Sequence, residues 1–163
     1  MNVEVFNSFP ILKTNRLELL RLDNPVYEHF LEITSFNGRA RNRHEVDKLL
    51  HSIHDNFDNQ QGITWGIYLE KVLIGTVGYY RGFKNNSGEI GYVIREKYRG
   101  KRFAIEAISC VIDFGFKQLE LDCITAYTTD YNIASIGVLE SFGFMRTNVF
   151  ADLYRKYELI RKE

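Results

Sequence analysis

Arg95-Glu96-Lys97-Tyr98-Arg99-Gly100-Lys101-Arg102-Phe103-Ala104 sets five basic residues against one acidic residue. The stretch joins a strand-like segment, 89–95, to the best helical pattern in the chain, about 101–119. A strand that ends in a Gly-containing basic turn and opens a helix presents unpaired backbone N–H groups and a positive dipole end. Basic side chains at a helix start oppose that dipole, so something anionic is implied that offsets the mild cost. A pyrophosphate fits. The competing reading is a solvated basic turn, a common surface feature.

Outward from this stretch the periodicities are clear. In 101–119, Ala104, Ala107, Ile108, Val111, Phe114 and Gly115 fall on one broad face, while Glu106, Asp113, Lys117 and Glu120 mark the wet side. Before it, Ile63, Trp65, Ile67 and Leu69 alternate with Thr64, Gly66, Tyr68 and Glu70, the pattern of a half-buried strand. Glu70-Lys71 turns into a strand over 72–81, and the turn 84–88 leads into 89–95, giving an antiparallel meander. Residues 16–22 read as a first strand, and 26–36 and 44–57 as helices separated by Asn37-Gly38. Beyond the long helix come a strand over 122–127, a helix over 132–142 stopped by Gly143, and a final hairpin over 144–160. The order defines a mixed α/β (α+β) domain.

The chain has 163 residues, 45% of them hydrophobic, enough for one well-buried core and too few for two full domains. Twenty-one Lys and Arg balance 21 Asp and Glu, so no global field collects nucleic acid or an anionic membrane. Residues 1–10 lack the basic start and apolar run of a secretory signal, and no apolar run approaches a membrane span. Cys110 and Cys123, thirteen positions apart, suit neither a disulfide framework nor a paired-cysteine metal site. A cytoplasmic protein is expected. His51 and His54 could share a helix face, with His44 nearby, but no third ligand stands at a fixed spacing, and no metal is expected. Other phosphate-loop and nucleophile-elbow motifs are absent.

The basic segment resembles the acetyl-CoA loop of the GNAT superfamily of N-acetyltransferases, Arg/Gln-x-x-Gly-x-Gly/Ala. Arg99, Gly100, Lys101, Phe103 and Ala104 stand in that pattern, and Arg102 replaces its central glycine. At φ > 0 an arginine there would be strained; with ordinary helical angles it would keep its N–H available and add a guanidinium contact. The second case is expected. Thr14-Asn15-Arg16-Leu17-Glu18-Leu19 resembles the opening motif of the branch that acetylates protein N-termini, ribosomal proteins included, with its usual arginine displaced to Arg21. Ile74 to Gly78, Glu89 to Tyr92, Ala104 to Ala107, and Asn132-x-x-Ser135-x-x-Val138-Leu139-Glu140 with Phe142-Gly143-Phe144 resemble further blocks in the family's order.

The resemblance implies a strongly twisted, mostly antiparallel sheet, splayed between the strand of Glu89 to Arg95 and that of Cys123 to Thr128, with helices on both faces. It places the pantetheine of acetyl-CoA against main chain at Tyr92, Val93 and Ile94. The pyrophosphate falls on N–H groups from Arg99 through Gly100, Lys101, Arg102 and Phe103 to Ala104. Transfer of acetyl from a thioester to an amine needs a group that takes the ammonium proton and a donor for the departing thiolate. Glu89 is the candidate base, with Tyr92 and Tyr127 as alternatives by position. Ser135 is the candidate thiolate partner, and Asn132 a helix cap that also touches the pantetheine. Gly137 would permit close approach of cofactor or sheet. Asp47, Asp55 and Asp58 would suit a cationic acceptor, or simply form a wet helix face. The implied function is acetyl-CoA-dependent N-acetylation of a primary amine by one domain, 1–163, without metal, nucleic acid or membrane partners. A catalytically silent acyl-CoA-binding module is the alternative. An RNA-binding domain built on 97–103 is disfavoured by the zero net charge.

Overall fold

A computed structural model describes residues 1–35 and 38–162. Among them, eight strands form a sheet in the order β1-β2-β3-β4-β5-β6-β8-β7. The strands are β1 (Leu12–Lys13), β2 (Glu18–Leu20), β3 (Ile63–Leu69), β4 (Val72–Tyr79), β5 (Ser87–Ile94), β6 (Cys123–Thr129), β7 (Met145–Ala151) and β8 (Tyr154–Ile160). The helices are α1 (Tyr27–Ser35), α2 (Arg43–Asp58), α3 (Phe103–Lys117) and α4 (Ile133–Ser141).

The meander and the final hairpin stand where they are expected, but β3 is not half-buried: Thr64 and Gly66 are buried along with Ile63, Trp65 and Ile67. The expected first strand, 16–22, is shorter: Thr14 accepts from the Leu17 N–H at 3.0 Å and its own N–H donates to the Leu17 carbonyl at 2.9 Å. That turn removes Arg16 and Leu17 from the ladder, so only β2 pairs with β3. Glu70 and Lys71 both take positive φ, 48° and 68°, as a tight hairpin whose twist matches its strands demands. The expected helix over 26–36 is α1; Phe36 and the Asn37 of the expected break lie outside the described residues.

One face of the sheet buries Trp65, Ile74, Val77, Tyr79, Ile90 and Ile94 against α3 and Leu139 of α4. The other face buries Leu73 against Phe30 and Ile33 of α1 and Val46 and Ile53 of α2. Helices therefore cover both faces, and strand alternation assigns each β5 side chain to one of them. Ile90, Tyr92 and Ile94 face α3, whereas Glu89, Gly91 and Val93 face the α1–α2 side.

At Gly115, α3 presses on the sheet. A Cβ there would collide with the Tyr79 hydroxyl, which donates to the Val111 carbonyl at 2.9 Å. Gly115→Ala is expected to destabilise the fold by about 1–3 kcal/mol through overpacking, read as a lowered melting temperature. Tyr79→Phe in the same chain should recover part of the loss by removing the struck oxygen, and an unchanged melting temperature for the single variant would contradict this packing.

β5 and β6 pair in parallel at Ser87↔Cys123, Gly88↔Ile124 and Glu89↔Thr125, and then part. β4 continues along β5 from Ile90 to Ile94. The sheet is thus open on one edge of residues 90–94, the expected splay, with Glu89 at its apex.

Candidate active site

The open edge of β5 presents main chain at Tyr92 and Val93 with no strand beside it on the β6 side. Ile94 differs, because its carbonyl accepts from Arg99 Nε at 2.8 Å. Arg99 therefore ties the loop after β5 back to the strand end.

Gly100 and Arg102 both have positive φ, 73° and 65°. This corrects the expectation for Arg102, which takes left-handed angles (φ 65°, ψ 14°) and not helical ones. The chain must turn from extended Arg99 (φ −69°, ψ 161°) into α3 within three residues, and the left-handed step makes that turn. A non-glycine residue there costs about 1–2 kcal/mol. Glycine takes such angles without that cost, so at this turn the arginine adds a side chain and the strain of a left-handed residue. Arg102 caps α3 without a side-chain hydrogen bond, so the first N–H groups of the helix keep the open donors of an uncapped end.

A clamp from the chain start holds this strained turn. The Arg16 guanidinium donates to the Lys101 carbonyl from both terminal nitrogens at 3.3 Å, and it lies 4.4 Å from the centre of the Phe103 ring. Glu106 orients Arg16 by accepting from its backbone N–H at 2.9 Å and from Nε at 2.7 Å, and it also accepts from the Thr14 hydroxyl. Glu106 is thus not on the wet side of α3, where its charge suggested it belongs; Asp113, Lys117 and Glu120 are exposed as expected. Burial raises the Glu106 pKa, but the hydrogen bonds from Thr14 and Arg16 outweigh it and leave the carboxyl below its usual value. A lowered folded-state pKa contributes stability that is present above the ordinary glutamate range and lost as pH falls through the folded value. Glu106→Gln is therefore expected to destabilise at neutral pH by about 1.5–3 kcal/mol. Its melting temperature should converge on wild type as the pH drops below the ordinary glutamate range, and a pH-independent gap would contradict the clamp.

The local positive charge is smaller than the sequence suggests. Arg95 is buried and paired with Glu32 at 2.7 Å, and it donates to the Leu73 carbonyl at 2.9 Å. Lys97 and Lys101 remain at the surface, their ammonium groups 5.0 and 5.9 Å from the centre of the Tyr98 ring.

Glu89 is half-buried at the apex of the splay, 3.4 Å from Arg81. Burial pushes its carboxyl above the usual glutamate value, with Arg81 opposing. On the other side of β5, the Tyr92 hydroxyl lies 2.9 Å from the Ser135 hydroxyl. Burial raises the Tyr92 pKa against that hydrogen bond, so the phenol stays protonated. Asn132 caps α4 by accepting from the Ser135 N–H at 3.1 Å, which fixes Ser135 at the third helical position as its spacing predicts. Tyr127 is half-buried on β6. The sheet half of the Gly137 expectation fails: Gly137 is exposed, and a Cβ there would meet nothing within 4 Å.

His51 joins His44, Asp47, Lys48, Ser52 and Asp55 in a concavity on the outer face of α2. His54 bonds the Leu22 carbonyl at 3.1 Å, so the two histidines do not converge. Among the described residues no group of three His, Cys, Asp or Glu side chains is placed to hold a metal ion. Cys110 and Cys123 are unpaired. No described helix is long and apolar enough to cross a membrane.

An open sheet edge running to an uncapped helix start, with a carboxylate on one side of the strand and a hydroxyl pair on the other, suits an extended ligand that carries amides and a phosphate group. Residues 16–145 match the acetyltransferase (GNAT) domain family. The uncharacterized N-acetyltransferase YoaA of Bacillus subtilis strain 168 is 33% identical over 153 residues, 86% of each chain. The ribosomal L7/L12 alpha-N-protein acetyltransferase RimL, solved in complex with coenzyme A, shares the fold with a TM-score of 0.80 at 13% identity, over 93% of this chain and 98% of its own. Ribosomal-protein-S5-alanine acetyltransferase of Vibrio fischeri superposes with a TM-score of 0.74 at 18% identity, over 93% and 96%. The chain belongs to the GNAT family and is an acetyl-CoA-dependent N-acetyltransferase.

Proposed function

We propose that residues 1–163 form one cytoplasmic domain that acetylates a primary amine, the N-terminus of a protein such as a ribosomal protein being the acceptor the family resemblance favours. The observation that carries this is the parting of β5 and β6 directly after Glu89↔Thr125. It leaves an edge to which the pantetheine amides add as a strand would, at Tyr92 and Val93 and, where Arg99 yields the carbonyl it holds, at Ile94. Arg99, Gly100, Lys101, Arg102, Phe103 and Ala104 then receive the pyrophosphate, mainly through main-chain N–H groups at the start of α3. Asn132 borders the same cleft.

Acetyl-CoA supplies the activated acetyl thioester as co-substrate. Two protons leave the nitrogen overall: one passes to Glu89 before attack, and the second passes from the tetrahedral nitrogen to the departing CoA sulfur, so that the products are the amide, the CoA thiol and a protonated Glu89. Glu89 removes one from the incoming ammonium, so that its nitrogen gains a lone pair for the carbonyl carbon; a carboxylate raised toward neutrality is better matched to that task than an ordinary one. Ser135 donates a hydrogen bond to the sulfur as the C–S bond breaks, and Tyr92 donates to Ser135 in turn. Amine and thiolate are thereby served from opposite sides of β5. Release of CoA that depends on added amine tests this function; binding without such release would instead support the silent acyl-CoA module.

A further inference from the structure

Arg39 and Arg41 lie between α1 and α2 and Arg43 opens α2, three arginines within five residues. The nearest carboxylate in sequence, Glu45, is engaged by the Arg41 backbone N–H at 2.6 Å. Arg43 stacks on Tyr27, its guanidinium 4.4 Å from the ring centre. Among the described residues none of the three guanidinium groups is held in an ion pair.

Arg39 alone of the three reaches the sheet, its guanidinium 5.6 Å from the centre of the Tyr80 ring. That ring lies over two facing glycines: a Cβ at Gly91 would collide with it, and one at Gly78 would come within 2.9 Å. Burial pushes the Tyr80 phenol up to about 12, so the ring is a neutral platform. Tyr80 is also the cross-strand neighbour of Glu89, its N–H donating to the Glu89 carbonyl at 3.2 Å. Strand alternation puts the Tyr80 and Glu89 side chains on the same, α1–α2 side of the sheet. A guanidinium that is in no ion pair among the described residues thus lies beside the ring of Tyr80, the cross-strand neighbour of Glu89 on the same side of the sheet.

That charge discriminates among acceptors. An amine delivered to Glu89 brings the rest of its molecule across Tyr80, where a cationic group meets a like charge and a carboxylate finds a guanidinium with planar, paired donors. The acidic residues that would suit a cationic acceptor lie elsewhere, Asp47 and Asp55 on the outer face of α2 and Asp58 exposed at its end. We infer that the acceptor is an acidic peptide N-terminus, with a carboxylate one or two residues from the reacting amine, and that Arg39 reads this carboxylate. The inference rests on the assignment of the Glu89 side of β5 to the amine.

The test uses three short peptides with the same free N-terminal serine and either aspartate, asparagine or lysine at the second and third positions. Wild type should acetylate the aspartate peptide with kcat/KM about tenfold or more above the asparagine peptide, with lysine lowest. Arg39→Glu should invert the order of aspartate and lysine and leave the KM for acetyl-CoA unchanged. Equal rates on all three peptides, or an order that survives Arg39→Glu, would overturn the inference. Should none be acetylated, the fault lies with the assigned chemistry, and the Arg39 assignment is read separately from binding. Fluorescence anisotropy of the same peptides, labelled at their C-termini, with the CoA-loaded protein should favour aspartate over lysine about tenfold in wild type and lose that preference in Arg39→Glu. Equal binding of the two would overturn it.

Discussion

Glu89→Gln is expected to lower acetyl transfer at neutral pH by about 10²- to 10⁴-fold while acetyl-CoA affinity stays at the wild-type level, the signature of a lost general base. The amide keeps the size and much of the hydrogen bonding of the carboxylate, so the loss isolates proton removal from packing. The pH profile gives a second reading. Activity that needs ionised Glu89 falls as pH drops through its folded pKa, which burial holds above the ordinary glutamate value. Arg81 opposes that rise, so Arg81→Ala should move the acid limb to higher pH, and Glu89→Gln should abolish the limb altogether. A normal rate and profile in Glu89→Gln would assign the proton to water or to another residue.

Ser135→Ala carries the second large effect. At the third position of α4, where Asn132 supplies the cap to the backbone N–H, the hydroxyl contributes little to the helix. Its hydrogen bond to Tyr92 is one half-buried pair of neutral groups, about 1 kcal/mol at most. Donors to a developing oxyanion are worth about 2.7–4 kcal/mol, and a thiolate is a more diffuse acceptor, so a loss of at least about tenfold in turnover is expected at saturating acetyl-CoA. Melting temperature should move by no more than about 4 °C, and CoA affinity should hold. Wild-type turnover would make Ser135 an ordinary helix residue. A fall in stability equal to the fall in rate would make it a structural partner of Tyr92.

The parts of this site that were legible in the sequence are those fixed by local pattern. Alternation from Ile63 to Leu69 marks the meander, Asn132 three residues before Ser135 marks a cap, and the basic Gly-containing turn marks the start of α3. The parts that were not legible depend on long-range pairing. Arg16 and Glu106 meet across 90 residues, and nothing in a single sequence distinguishes a helix carboxylate that binds such a partner from one that faces water. Arg95 and Glu32, 63 apart, are hidden for the same reason, which is why the basic turn looks more charged than it is. Arg102 failed differently. Its conformation is dictated by the path between extended Arg99 and α3, and that requirement outweighs the residue's own preference once Arg16 holds the Lys101 carbonyl. Tyr80 gave no signal at all, because strands use tyrosine freely and the glycine pair under its ring belongs to two different strands.

Direct transfer from thioester to amine, with no stop on the protein, is most directly measured in a single turnover with acetyl-labelled acetyl-CoA and an excess of a peptide that has a free N-terminus. The account predicts one labelled peptide for each CoA released and no label on the protein at any time, with both yields suppressed in Glu89→Gln. Label retained on the protein chain, or bound acetyl-CoA left intact beside an unmodified amine, would contradict it.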